Sequence, residues 1–336
     1  MSIINEIQGL FNPQAIAASV KRLPELKTTV MDLLFPRRVT HDFPTIAFHE
    51  LDAVVGTQPL ARRDGLPIPY QGKGEDGKLF APSPLKPSVD VTAAELNDLR
   101  AIWGSLVNRQ NFLDRKVDQL RRLVRNSTEG MASVVATTGS LTWPRRLEGG
   151  GYEDFTLDFG TIRVVNPAVP WDGTSNPPGL EEVYEFLSGL EQQVAEAGGG
   201  GQLKFLAGKN AFKSLLKLAS KWVATVQGSP ITLKLDNGVI LIGGYEIRGV
   251  SERYQSPLDG SFVDKIPPDY LVGYSQDHEG SIYYLAIDSI SNNGKATPFH
   301  VVVEPLPGDA AIRLMAQAKP VPSRSLVSLI KSKVTG

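Results

Sequence analysis

Apolar residues recur at helical spacing between residues 92 and 137 and predict one long helix there. The stretch opens at Thr92, with Glu95 three residues later, which is the spacing of a capping box. No proline occurs from Ser88 to Thr142, and Asn111 and Asn126 are the two positions at which we expect a break or kink. The apolar stripe consists of Leu96, Leu99, Ile102, Trp103, Leu106, Leu113, Val117, Leu120, Val124, Met131, Val134 and Val135.

The segment before this helix has a different pattern. Residues 45–91 show no helical period and begin with a strand-like alternation around Ile46. Three prolines follow Phe80, and proline cannot donate to a β-ladder, which favours an edge strand or a free-standing ribbon. A two-stranded ribbon alone is marginal in water. We therefore expect an extended arm that packs on a surface outside its own domain, which favours assembly over catalysis.

The N-terminal residues 1–44 contain three short amphipathic stretches, separated by Pro13 and Pro24. The second stretch runs from Ala15 to about Arg22, and the third runs from Leu26 to Leu34. Helices this short bury little apolar surface against each other. They are either a cap on the core of the same chain or an arm that lies on a neighbouring subunit, and the pattern leaves both open.

The rest of the chain reads as a mixture of helix and strand. Helices are predicted over Leu180–Ala197 and Gly208–Lys221, and the four glycines that follow Ala197 end the first of them. Asn237-Gly238 between two apolar runs is the strongest hairpin signal in the chain. Strands are predicted at Ser140–Trp143, Phe155–Phe159, Thr161–Val165, Leu203–Leu206, Ile231–Leu235, Val239–Ile247, Tyr270–Tyr274, Ile282–Ile287, Phe299–Val303, Ala311–Ala316 and Ser325–Ile330.

Composition limits the function classes. The 336 residues suffice for about two domains. The formal net charge of −1 gives no global field that would steer the protein to nucleic acid or membrane. The chain contains no cysteine, which excludes disulfides and thiolate metal sites. No signal-peptide pattern and no apolar run of membrane-spanning length is apparent, so we expect a soluble protein made in a cytoplasm.

Candidate catalytic motifs are weak. Gly72–Lys78 matches a glycine-rich phosphate loop by letter, but the prolines that follow it prevent a helix from starting there, so we interpret it as a loop tip. The four histidines show no metal-ligand spacing. A two-domain α/β enzyme with its site near Trp171–Pro178 is a remaining alternative, which Asp172 and His278 would test. We predict no catalytic residue, no cofactor and no metal.

Charged residues supply the candidates for assembly contacts. The basic residues of the long helix are interleaved with Asp114 and Asp118, so they form either a solvated face with local pairs or a face turned toward nucleic acid or an acidic partner. Charges on the arm either form ion pairs across a subunit boundary or are solvated. The charged candidates are Arg62, Arg63, Asp64, Lys78, Arg121, Arg122 and Arg125, and Trp171 is a further, uncharged candidate.

Several short sequences occur in a recognisable order along nearly the whole chain. They are Leu33-Leu34-Phe35-Pro36 before Phe43–Leu51, Pro59-Leu60, the return from Phe80 through Pro82, Leu85 and Lys86 to Pro87, the long helix to Trp143, Leu157-Asp158-Phe159-Gly160, Trp171-Asp172, and Leu271-Val272-Gly273. In this order the chain resembles the major capsid proteins of tailed phages, of the lambda-like capsid protein E family.

The resemblance implies an α+β chain with the Hong Kong phage-type capsid fold. The implied parts are an N-terminal arm (1–44), an extended E-loop (45–91), a P-domain with the long spine helix (92–170), an α/β A-domain (171–295), and C-terminal strands that return to the P- and A-domains (296–336).

The resemblance also implies self-assembly into pentamers and hexamers, in an icosahedral shell around double-stranded DNA that is contacted non-specifically. Scaffold and portal proteins, and a decoration or cement protein, are further implied partners, and a membrane is not. The expected location is the virion, with assembly in the bacterial host cytoplasm. The covalent cross-links of some relatives do not transfer to this chain. Another virion structural protein, such as a tail or decoration protein, is the main alternative.

Overall fold

The computed structural model describes residues 13–47, 79–92, 94–95, 106–173, 177–223, 231–306 and 311–336. The predicted arm residues 48–78, and residues 96–105 of the long-helix pattern, lie outside these ranges. The helices are α1 (Pro13–Arg22), α2 (Thr29–Leu34), α3 (Leu106–Thr138), α4 (Leu180–Glu196) and α5 (Lys209–Val223).

Nineteen strands form six sheets within these described ranges. They are β1 (Arg37–His41), β2 (Ile46–Ala47), β3 (Leu79–Phe80), β4 (Ser88–Thr92), β5 (Ser140–Arg146), β6 (Tyr152–Asp158), β7 (Arg163–Val164), β8 (Leu203–Ala207), β9 (Leu233–Asp236), β10 (Val239–Ile242), β11 (Tyr245–Gly249), β12 (Arg253–Gln255), β13 (Phe262–Asp264), β14 (Tyr270–Ser275), β15 (Ser281–Leu285), β16 (His300–Pro305), β17 (Ala311–Gln317), β18 (Pro320–Ser323) and β19 (Leu329–Lys333).

The largest sheet has seven strands in the order β7-β19-β14-β8-β11-β10-β9. It is mixed, because β8 runs parallel to β11 and β7 parallel to β19, whereas the other neighbours are antiparallel. Helices α4 and α5 share an apolar core with it, in which Leu187, Leu215 and Ile247 are fully buried. Both helices occur where the apolar period predicted them.

Helix α3, called the spine helix below, runs without a break through both asparagines at which a kink was expected. Its 33 residues extend about 50 Å at 1.5 Å per residue. The first half packs with α1 and the sheet β16-β17-β4. The second half packs with α2 and the sheet β1-β15-β18. Upstream, Thr92 and Glu95 exchange the two hydrogen bonds of the predicted capping box.

The N-terminal segment, residues 13–44, caps the core of its own chain. Met31 and Leu34 of α2 are fully buried against the spine helix, and Ile16 of α1 is buried against its first half. This is the first of the two alternatives left open by the sequence. The predicted start of the third amphipathic stretch at Leu26 is wrong, because α2 begins only at Thr29. Residues 1–12 lie outside the described residues.

Three two-stranded ladders complete the fold: β2–β3, β5–β6 and β12–β13. The first joins Ile46 to Phe80 at the two described ends of the predicted arm. The next strand after the prolines, β4, lies at the edge of its sheet, as expected for a proline-rich return.

The predicted strand Val239–Ile247 is two strands. Gly243 and Gly244 adopt φ values of 56° and 99° and turn the chain, so that Leu241 of β10 lies opposite Glu246 of β11. A Cβ at Gly243 would lie 2.3 Å from the Tyr184 ring, so the close approach also requires glycine. The predicted hairpin at Asn237-Gly238 is present, with φ values of 41° and 77°.

The predicted strand Ser325–Ile330 is wrong in its first half. Residues Leu326–Ser328 form a 3-10 turn, and β19 begins at Leu329. The Ser328 hydroxyl donates to the Ser325 carbonyl over 2.7 Å, which stabilises the turn. Strand β18 was not predicted, because its two prolines argue against a strand; it is tolerated at the edge of its sheet.

Candidate functional site

The predicted basic face of the spine helix is partly neutralised by Asp118. Arg121 donates to Asp118 over 2.9 Å and Arg122 over 2.6 Å, at spacings of three and four residues. Burial acts to raise the pKa of Asp118, but the hydrogen bonds from both guanidinium groups outweigh it and lower that pKa. The Arg122 side chain remains 56% exposed, whereas that of Arg121 is 14% exposed. Local pairs with Asp118 are therefore present, and of these two arginines only Arg122 is a solvated charge.

The two more buried arginines bind the N-terminal segment of their own chain. Arg121 donates to the Pro24 carbonyl over 2.7 Å. Arg125 donates to the Thr28 hydroxyl and to Asp32, both over 2.9 Å. These bonds fix the connection between α1 and α2 along one side of the spine helix.

A buried carboxylate on the same helix caps α2. Glu129 is 1% exposed and accepts the backbone N–H groups of Val30 and Met31, each over 2.8 Å. N–H groups in the first turn of a helix have no acceptor within the helix. Here the distant Glu129 side chain supplies that acceptor in place of a local cap. Thr28 itself makes no side-chain cap bond. Sequence reasoning missed Glu129, and the available signal was that it is the one charged residue between Arg125 and Arg145.

Lys265 neutralises this carboxylate. Its ammonium lies 3.0 Å from Glu129 and also binds Glu252, which in turn accepts the hydroxyl of Thr29. Burial acts to lower the pKa of Lys265, but the hydrogen bond with Glu252 and the charge of Glu129 outweigh it and raise that pKa. The network joins α2, the spine helix and the β12–β13 hairpin.

A second buried charge, Arg324, has no carboxylate partner among the described residues. Its guanidinium donates to the carbonyls of Leu34 and Ser275 and to the Ser328 hydroxyl. It lies 5.5 Å from the centre of the Tyr274 ring. Burial lowers the pKa of Arg324 to about 10. Arg324 thus links the end of α2, strand β14 and the C-terminal segment.

The remaining predicted candidates separate into two groups. Trp171 is 2% exposed, packs edge-on against Phe186 at 6.3 Å, and donates its backbone N–H to Val334 over 2.7 Å. It therefore belongs to the core of its own chain, which argues against a direct contact with another copy. Arg62, Arg63, Asp64 and Lys78 lie outside the described residues.

Arg121 and Arg125 also line an open cleft of about 190 Å³. Its other walls include Leu26 of the N-terminal segment, Tyr284 of β15 and Phe299, so the cleft is apolar apart from the charged groups at its edge. The Nε atoms of both arginines are enclosed by protein and have no hydrogen-bond partner in the described part of the chain.

Two hairpins carry exposed large apolar side chains. At the turn of β5–β6, Leu147 is 42% and Tyr152 is 49% exposed. In the β12–β13 hairpin, Leu258 is 55% and Phe262 is 69% exposed. Exposed apolar side chains that are grouped at a turn make these hairpins candidate interaction surfaces.

Within the described ranges, no group of three or more metal-ligating side chains occurs, and no helix is long and apolar enough to cross a membrane.

Comparison with known proteins identifies the family. The family model for phage major capsid protein E matches residues 12–333. No curated protein matches the chain in sequence.

Solved structures show the same fold. A protein assigned as the capsid protein of a prophage of Escherichia coli CFT073 is 17% identical, with a TM-score of 0.63 over 97% of this chain and 99% of that one. A phage-related protein from Bordetella bronchiseptica RB50 is 12% identical, with a TM-score of 0.53 over 95% of this chain and 96% of that one. The expected Hong Kong phage-type fold is confirmed. Because the family model covers nearly the whole chain, this protein belongs to the phage major capsid protein E family.

Proposed function

We propose that this chain is the shell-forming subunit of a tailed phage, which assembles from identical copies into pentamers and hexamers around double-stranded DNA. Membership of the capsid family makes the chain a structural capsid subunit, and the closed pentameric and hexameric arrangement is the proposed part. The observation that carries it is the exposed apolar surface at the two hairpins and at the base of the arm. Phe43 is 66% and Leu79 is 68% exposed next to the β2–β3 ladder.

This surface favours contacts between copies over a catalytic role. An isolated hairpin or ribbon is only marginally stable in water. A second surface that covers its apolar side chains stabilises it. The buried charges of Glu129 and Lys265 are fully used in hydrogen bonds within the fold, which leaves no free acid–base pair at that site. We propose that the protein is not an enzyme.

We propose the domain division implied by the resemblance, with one refinement. The seven-stranded sheet with α4 and α5 forms the A-domain, while the spine helix carries the smaller sheets. Strand β15 pairs with β1 and β18 beside the spine helix, which supports a boundary after β14 rather than at residue 295. Scaffold, portal and decoration proteins, and the packaged DNA, are further proposed partners in the virion and in the host cytoplasm.

Electron microscopy of the protein expressed with the neighbouring genes of its phage tests the proposal. We expect closed shells or capsomers. Replacing Gly65–Lys78 by a Gly/Ser linker of equal length should leave the α/β core folded, as judged by circular dichroism, and abolish shells. A protein that stays monomeric under all assembly conditions would refute the proposal, and unchanged shells from the linker variant would refute the role of the arm.

A further inference from the structure

The cleft beside Arg121 and Arg125 contains unused hydrogen-bond donors. Each guanidinium has five N–H donors. Within the described chain, each arginine donates only from its Nη2 group. Arg121 donates to Pro24 and Asp118, and Arg125 donates to Thr28 and Asp32. The Nε groups are enclosed by the chain itself, so an incoming group cannot reach them. The Nη1 groups make no hydrogen bond with described residues and are the donors left for a ligand. Largely buried cationic donors without an acceptor are costly, so a further anionic group is expected near them.

The shape of the cleft restricts the ligand. A volume of about 190 Å³ accommodates one side chain or a few waters, but not a nucleic-acid backbone. The walls formed by Leu26, Val124 and Phe299 are apolar, and Glu25 also lines the cleft. A polyanion would be repelled by Glu25, whereas a single carboxylate on an apolar stem matches both the walls and the donors.

The chain itself presents such a group. Glu148 lies at the turn of the β5–β6 hairpin, and its carboxylate makes no hydrogen bond or ion pair with the described residues. It is flanked by the exposed side chains of Leu147 and Tyr152. The strand residues next to the turn are also exposed, namely Arg145 and Arg146 on β5 and Tyr152–Asp154 on β6. The hairpin tip is therefore accessible to solvent.

We propose that the Arg121–Arg125 cleft is a contact site between copies, which receives the β5–β6 hairpin tip of a second copy with the Glu148 carboxylate against the two guanidinium groups. The contact is heterologous, because two different surfaces meet. Such a contact generates a ring when the rotation between copies closes. The inference rests on the proposed function, since it assumes that identical copies assemble.

Engineered disulfides test the contact directly, because the natural chain has no cysteine. Leu26→Cys places a thiol at the cleft, and Leu147→Cys places one beside Glu148 without removing it. A disulfide requires Cα atoms within about 7 Å. Assembled particles of the double variant should therefore give covalent oligomers on a non-reducing gel, and reduction should return monomers.

Matched controls define the negative result. Each single cysteine variant reports cross-linking of a residue to its own equivalent. Leu26→Cys combined with Leu235→Cys, at an exposed position on the edge strand β9, reports random collision. Shells by electron microscopy without cross-links above these controls would overturn the contact while leaving the proposed function intact. Absence of shells from the natural chain would instead count against the proposed function.

Conservative variants measure the contribution of the donors and of the acceptor. Arg121→Lys keeps the charge and removes the planar guanidinium, and Glu148→Gln removes the acceptor charge. A hydrogen bond between charged groups corresponds to roughly tenfold or more in affinity, so each variant should raise the concentration needed for assembly by about that factor. The double variant Arg121→Lys/Glu148→Gln should need no higher concentration for assembly than the single variant with the larger effect. Arg115→Lys and Asp154→Asn, on the same helix and hairpin, should leave it unchanged. Equal effects of these controls, or full additivity, would overturn the assignment.

Discussion

The junction between the N-terminal segment and the spine helix differs in kind from the seven-stranded sheet. The junction depends on charged groups that bond across long sequence separations, as Glu129 does with Val30 and Arg125 with Asp32. The sheet and its two helices share an apolar core around Leu187 and Phe205. Apolar burial is non-directional and tolerates small shifts, whereas buried charge requires fixed geometry. The comparison indicates that charges position the N-terminal segment and that apolar burial stabilises the sheet.

The largest effect is expected from Glu129→Ala. The variant leaves Lys265 without its buried partner and two N–H groups of α2 uncapped, which should lower the free energy of unfolding by about 3–5 kcal/mol. Urea unfolding of unassembled subunits measures the loss. Hydrogen exchange should show it first in residues 13–34 rather than in α4 and α5.

Glu129→Gln is the matched control for that variant. The amide oxygen can still accept one N–H group of α2 but no longer neutralises Lys265, so the loss should be smaller than for alanine. A change within about 0.5 kcal/mol for the alanine variant would contradict the role given to Glu129.

Leu187→Ala tests the other side of the comparison. Leu187 is fully buried between α4 and the sheet, and its truncation should lower the free energy of unfolding by about 3 kcal/mol. The increase in hydrogen exchange should here be centred on α4, α5 and the sheet. If the N-terminal segment opened first in both variants, the two regions would not be distinct.

A smaller effect is expected from Arg125→Gln. The variant removes the bonds to Thr28 and Asp32 from a side chain that is 22% exposed, and about 1–2 kcal/mol should be lost. Arg122→Gln removes a charge that is 56% exposed and should cost less than about 0.5 kcal/mol. Thermal unfolding followed by circular dichroism compares the pair, and similar losses would argue against a specific role for Arg125.

Mild acid should produce the smallest change. Burial acts to raise the pKa of Asp114, but the hydrogen bond and charge of Arg22 outweigh it and lower that pKa. Burial likewise acts to raise the pKa of Glu252, but the hydrogen bonds from Lys265 and Thr29 outweigh it and lower that pKa. Carboxylates with a depressed folded-state pKa stabilise the fold above their unfolded pKa, and this contribution is lost as the pH falls through the folded value. Stability should therefore decrease below about pH 4.5. Exchange measured at pH 5 and pH 3.5, corrected for intrinsic rates, should increase first in residues 13–34; equal increases in the sheet would contradict this.

The sequence predicted many elements whose cause is local, although it missed the turns at Gly243–Gly244 and Leu326–Ser328, whose causes are also local. Asn237-Gly238 predicts its hairpin, and Thr92 with Glu95 predicts its capping box, because the atoms involved lie within four residues of each other. Both helices that pack on the large sheet were also predicted from their apolar period, which is a property of neighbouring turns.

The other misses have long-range causes. The start of α2 depends on Glu129, about a hundred residues away, and the edge position of β18 depends on its pairing with β15. Arg121 and Arg125 were predicted as a basic face, but their partners at Pro24 and Asp32 could not be read from helix spacing. Burial of Trp171 likewise depends on the C-terminal Val334.

The length of the spine helix has a mechanical consequence. Its halves are embedded in two different cores, and no proline or bulge divides them. A tilt of about 5° at one end displaces the other by roughly 4 Å over a rod of some 50 Å. A rigid helix of this length would therefore convert a small rotation at its contact with α2 into a larger displacement of the sheet β16-β17-β4 beside α1.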